Sequence, residues 1–131
     1  MNNKVPDKKN AQSILESSKR EMNFTLTMKI TEESGSTIIR NIYECFRKLG
    51  DALLTSKGVR THDHLEPLKE IMNLKIKTSR PLGVIENLRQ LRHNINYYGY
   101  LPNLAEVAYA VEIAESLFNA VYREVSGLIK S

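Results

Sequence analysis

The last third of the chain limits the fold more than any other stretch. Leu104, Val107, Val111, Ala114, Phe118, Val121, Val125 and Leu128 recur at alternating intervals of three and four residues. That is the period of one face of an α-helix and not of a strand. Ala110, Ile113, Leu117 and Ala120 form a second stripe that widens the apolar face. Asn103 stands at an N-cap position with Glu106 three residues on, the spacing of a capping box. A helix of about 25 residues spans roughly 38 Å, so the expectation is that it forms the spine of a helical bundle.

The same period runs upstream. Ala11, Leu15, Ser18, Met22, Leu26 and Ile30 predict a helix over residues 10–31. Glu33-Ser34-Gly35-Ser36 reads as a break, with Ser34 or Ser36 capping a second helix. Ile39, Ile42, Phe46, Leu49 and Leu53 make the seam of that helix, and Gly58 closes it. Gly50 lies inside it, at a cost of about 1 kcal/mol against alanine, and marks a close helix–helix approach.

Thr61-His62-Asp63-His64 opens a short helix that buries Leu65, Leu68, Ile71 and Met72. Asp63 with Glu66 resembles a capping box, and Pro67 is tolerable only in a first turn. Two histidines and one aspartate with no third partner at defined spacing read as capping rather than as a metal site. A basic stretch with Lys75, Lys77 and Arg80 follows, and Pro81 starts the fourth helix. On it Val84, Leu88, Leu91, Ile95 and Tyr98 form the expected buried face, closed by Gly99 and Pro102. Residues 1–9 read as a flexible N-terminal arm and residues 10–131 as one domain. The predicted fold is all-α: an up-and-down bundle of four long helices and one short one, with apolar surface left for a partner and a homodimer as the default.

Composition bounds function loosely. The apolar fraction is 41% and the charged fraction 26%, as in soluble globular proteins. The formal charge of +4 is compatible with an RNA or nucleotide partner without requiring one. The single cysteine, Cys45, makes neither an internal disulfide nor a multi-thiolate zinc site; it sits between Ile42 and Phe46 as a core residue, which fits a reducing cytoplasmic setting. The polar N-terminal sequence carries no signal-peptide pattern, and no apolar run approaches the ~18 residues of a membrane span. No cofactor is implied.

The densest chemistry lies on the fourth helix, in Arg89-Gln90-Leu91-Arg92-His93-Asn94-Ile95-Asn96-Tyr97-Tyr98-Gly99. At about 100° per residue from Leu88, Arg92 falls near 40°, Asn96 near 80°, Arg89 near 100° and His93 near 140°. Arg92 is therefore expected at the edge of the buried face beside Asn96 and Arg89, with His93 and Tyr97 further outward. Arginine holds phosphate in bidentate geometry; histidine serves as a general acid or base near neutral pH; tyrosine stacks on bases. Together they suit metal-free RNA cleavage through the 2′-hydroxyl, or an interface lattice.

The run Leu91-Arg92-His93-Asn94-Ile95-Asn96-Tyr97-Tyr98-Gly99, followed by a helix with Ala110, Ala114, Leu117-Phe118 and Val121, resembles the HEPN superfamily. The resemblance spans roughly residues 36–128, and its specific part is 88–121. It implies a small helical bundle, usually a homodimer, whose signature is an arginine followed after four to six residues by a histidine. Active members use these groups from two protomers as a metal-independent ribonuclease, and many pair as toxin and antitoxin with a small nucleotidyltransferase. Arg92 matches the motif arginine. The motif histidine falls at Tyr97, Tyr98 or Gly99, as in the branch of the family whose motif ends in tyrosine. The resemblance thus implies a domain that binds RNA or nucleotide, or a nucleotidyltransferase partner, with a degenerate catalytic motif. An active endoribonuclease and a purely structural helical dimer are the alternatives. Arg92, His93, Tyr97 and Tyr98 are the catalytic candidates; Arg89, Arg92 and Asn96 are the ligand-binding ones.

Overall fold

The computed structural model describes residues 2–3, 5–60 and 65–131. Among the described residues five helices make an all-α fold: α1 (Lys8–Thr25), α2 (Glu32–Ser56), α3 (Glu66–Met72), α4 (Ile85–Tyr98) and α5 (Leu104–Lys130). Asn2–Asn3 pairs antiparallel with Val59–Arg60, and a 3-10 turn at Leu82–Val84 leads into α4.

The spine is α2 rather than α5. It packs against all four other helices, whereas α5 packs on α2 and α1. The physical cause is in its residues. Ile38, Ile39, Ile42, Tyr43, Cys45, Phe46, Leu49, Ala52, Leu53 and Leu54 are all buried, so the apolar face of α2 covers more than half of its circumference and meets neighbours on several sides, leaving a charged strip with Arg40, Glu44, Arg47, Lys48 and Asp51. The edge-to-face pair Phe46–Phe118, with ring centroids 5.6 Å apart, joins α2 to α5.

On α5 the buried line is Val107, Ala110, Ile113, Ala114, Leu117, Phe118, Val121, Val125 and Ile129. Leu104 and Leu128 are exposed instead of buried. A 3.5-residue stripe drifts by about 20° per heptad on a straight 3.6-residue helix, so by the C-terminal end Ile129 has replaced Leu128. The second stripe, expected to be left for a partner, is consumed within the chain at Ala110, Ile113 and Leu117.

The junction of α1 and α2 also departs from expectation. The first helix stops at Thr25, and α2 starts at Glu32, so Glu33–Ser36 is helix and not a break. Thr31 is the cap: its Oγ1 accepts from the Ser34 N–H at 3.1 Å, and Ser34 Oγ accepts from the Thr31 N–H at 2.9 Å. Gly35 is a packing residue, since a Cβ there would lie 2.8 Å from Val107 Cγ2 of α5.

Several expectations hold. Gly50 marks a close approach, because a Cβ there would lie 2.0 Å from the Pro67 carbonyl oxygen of α3. Gly58 and Gly99 have φ of 72° and 61°, the left-handed conformation that ends a helix. Asn103 and Glu106 form the capping box of α5, at 2.8 and 3.0 Å. Pro67 lies in the first turn of α3; the expected Asp63 cap, with His62 and His64, lies outside the described residues. Cys45 is fully buried, and burial pushes its thiol pKa up to about 12.

Candidate functional site: a groove between α2 and α4

Arg89, Arg92, His93 and Tyr97 of α4 line one open groove of about 310 Å³ together with Tyr43, Glu44 and Arg47 of α2 and with Leu65. Their grouping follows from helical spacing. Arg89, His93 and Tyr97 step by four along one flank of α4, and Arg92 lies between that flank and the buried line Ile85, Leu88 and Ile95. From the opposite wall, Tyr43 and Arg47 are one turn apart on α2. Both walls are helical.

Arg92 is the centre of the arrangement. Its guanidinium carbon lies 5.1 Å from the centroid of the Tyr43 ring, within cation–π range. Tyr43 is buried; burial raises its hydroxyl pKa, and the positive charges of Arg92, Arg47 and Arg89 oppose that rise. Among the described residues Arg92 has no carboxylate partner. Its neighbours do. Arg47 donates to Glu44 and, at 2.7 Å, to Asp51, and the hydrogen bond to Glu44 is the main reason its pKa is raised. Arg89 Nε donates to both carboxylate oxygens of Glu86, at 2.5 and 2.7 Å, which raises its pKa. Among the described residues Arg47 and Arg89 are thus paired with carboxylates and Arg92 is not.

His93 is half-buried and packs against two tyrosine rings, Tyr97 at 4.7 Å between centroids and Tyr98 edge-on at 5.7 Å. Although His93 projects about 100° away from Arg92 around the helix, both line the groove, because α2 forms a wall broad enough to meet both.

Two of the α4 candidates fall elsewhere. Asn96 is exposed and not part of the groove wall. Tyr98, expected in the buried face, is 76% exposed. It lies about 80° from the centre of the stripe, at the last residue of the helix. Tyr43, Glu44 and Arg47 escaped the sequence reading. The available signal was a tyrosine and an arginine four apart beside the Ile42–Phe46 seam, but pairing them with α4 requires knowing that α2 is central.

Among the described residues no group of three or more histidines, cysteines or carboxylates is placed to hold a metal ion, and no helix is long and apolar enough to cross a membrane. No protein-family model, no curated protein and no solved structure matches the chain.

Proposed function

We propose that the chain is a HEPN-like binding module whose α2–α4 groove takes a phosphate-bearing ligand, a nucleotide or the end of an RNA strand. The observation that carries this is the Arg92 guanidinium: it rests on Tyr43, has no carboxylate partner among the described residues, and stands beside His93 and the exposed Tyr97. A phosphate would complete its hydrogen bonding, and Tyr97 with His93 would offer ring faces to a base. Arg47 and Arg89 are already paired with carboxylates, which favours one anchored phosphate at Arg92 over a long polyanion track. Binding without cleavage is favoured because tyrosine occupies the position where the resemblance places the catalytic histidine. The cytoplasmic setting proposed for it rests on the buried, protonated Cys45.

The test measures fluorescence anisotropy of a 5′-phosphorylated dinucleotide and a short single-stranded RNA against wild type, Arg92→Ala and Tyr97→Ala. Charge-assisted hydrogen bonds contribute about 1.5–3 kcal/mol, so Arg92→Ala should weaken binding by roughly 10- to 150-fold while the circular dichroism spectrum holds. A salt slope close to about −0.7, one phosphate on a single strand, is expected. Equal binding by Arg92→Ala refutes the site. RNA cleavage in the presence of chelator that Arg92→Ala abolishes would replace the binding-only reading with the ribonuclease one.

A second reading has its own observation. Tyr97, Tyr98, Tyr100, Leu101 and Leu104 are all exposed around the α4–α5 turn. Such a cluster suits a protein interface, either a second copy of the chain or a small nucleotidyltransferase. Tyr98→Ser with Leu101→Ser should then shift a sedimenting dimer to monomer; a monomeric wild type would remove the homodimer.

A further inference from the structure

The connection between α3 and α4 carries a feature that the groove does not use. From Asn73 to Pro81 the chain has no helix, yet burial alternates strictly. Leu74, Ile76, Thr78 and Arg80 are half-buried, while Asn73, Lys75, Lys77 and Ser79 are exposed. That is the two-residue period of an extended strand. Leu74 and Ile76 anchor the segment by packing on the core. Among the described residues, no main-chain N–H or C=O from Lys75 to Ser79 has a hydrogen-bond partner. An extended segment held in place with its main-chain groups unpaired is a template for one more strand.

A groove of about 570 Å³ runs beside this segment, with Met72, Leu74, Ile76 and Leu82 as its apolar part. Gly83 stands at its rim, where an added Cβ would meet nothing within 4 Å. The charges define the visitor. Arg80 is committed to Glu112 at 2.6 Å and lies over the Tyr109 ring. Lys75 and Lys77 are exposed and have no carboxylate partner among the described residues. They stand two residues apart on one side of the segment, roughly 6–7 Å along an extended chain, the repeat at which a neighbouring strand presents alternate side chains. A second copy of the same segment would set lysine against lysine, which opposes pairing.

We propose that Leu74–Arg80 is a strand-addition site for an extended peptide segment of a partner protein in which acidic residues alternate with apolar ones. The acidic side chains meet Lys75 and Lys77, the apolar ones enter the groove beside Leu74 and Ile76, and the main chain pairs with Lys75–Ser79.

The probe is an end-blocked fluorescent octapeptide of alternating glutamate and valine, titrated by anisotropy against the full chain. Saturable binding is expected. It should weaken at least tenfold when alternate peptide amides are N-methylated, and at least tenfold in the Lys75→Glu, Lys77→Glu double variant. Both lysines are exposed, so the double variant should melt at the wild-type temperature. Hydrogen exchange should show slowed amides within 75–79 only with the unmethylated peptide. Equal affinity of the methylated peptide overturns main-chain pairing. Absence of saturable binding overturns the site, and so does a single-stranded RNA probe that binds the two lysines where the peptide does not. Arg92→Ala should leave peptide binding unchanged, which separates a failure here from a failure of the α2–α4 site.

Discussion

Replacing Gly50 and Gly127 by alanine should move stability in opposite directions, although both glycines lie inside long helices. Intrinsic helix propensity favours alanine by about 1 kcal/mol at either position. At Gly127 nothing lies within 4 Å of the added methyl, so Gly127→Ala should stabilise by about 0.5–1 kcal/mol. At Gly50 the methyl carbon would stand 2.0 Å from the Pro67 oxygen, 2.5 Å from its carbonyl carbon and 2.7 Å from its Cα. All three are main-chain atoms, so no rotamer change relieves the clash, and α3 has to be displaced from α2. Overpacking costs about 1–3 kcal/mol, occasionally more. An obstacle made of backbone belongs at the upper end, leaving a net loss near ~2 kcal/mol or greater after the propensity gain. With an unfolding entropy of about 2.1 cal/mol/K per residue over 131 residues, each kcal/mol shifts Tm by about 3.6 °C. Gly127→Ala should thus raise Tm by roughly 2–4 °C, and Gly50→Ala should lower it by roughly 7 °C or more. Urea titration followed by circular dichroism checks both, with unchanged slope m as the condition for comparing midpoints. If Gly50→Ala unfolds at or above the wild-type midpoint, the α2–α3 packing described above is wrong.

Other outcomes follow from the caps and the buried thiol. Asn103→Ala removes the acceptor for the Glu106 N–H and should cost about 1 kcal/mol in the same titration. Cys45 should resist a thiol-specific reagent at pH 8 in native protein and react fully in urea; rapid native labelling would contradict its burial. The thiol ordinarily titrates at 9.0 and in the fold at about 12. Between these values the unfolded chain has lost the proton and the folded chain retains it. Stability should therefore fall as pH rises from 9 towards 12, and Cys45→Ala should flatten that part of the profile.

The fold was legible where one signal dominated. Strong periodicity and capping boxes marked α5, and the glycine caps ended α2 and α4 close to where they end. It was misread where two signals competed. At Ser34 and Gly35 the residue types of a loop outweighed the Thr31–Ser34 spacing that starts a helix, because the need for a small residue against Val107 is a tertiary fact. The centrality of α2 was present in Ile38, Tyr43, Cys45 and Leu54 beside its seam, but α5, being longer and cleaner, drew the assignment. At the candidate site, helical angles placed Arg89, Arg92, His93 and Tyr97 on adjoining flanks of α4. The facing wall of Tyr43 and Arg47 depends on which helix packs opposite, and one helix's periodicity carries no information about its neighbour's register.

Gly35 and Gly50 together set how firmly one wall of the groove is held. They stand 15 positions apart on α2, about 22 Å along its axis, and each seats the helix against a different neighbour: Val107 of α5 and Pro67 of α3. A rod held closely at two separated points can neither slide nor turn without a collision at one of them. Tyr43 and Arg47 lie between the two points, so their wall is stationary. The facing helix α4 is seated differently, by the buried side chains Ile85, Leu88 and Ile95 rather than by a glycine. One wall of the groove thus belongs to a helix pinned at two points, and Arg92, His93 and Tyr97 face it from α4.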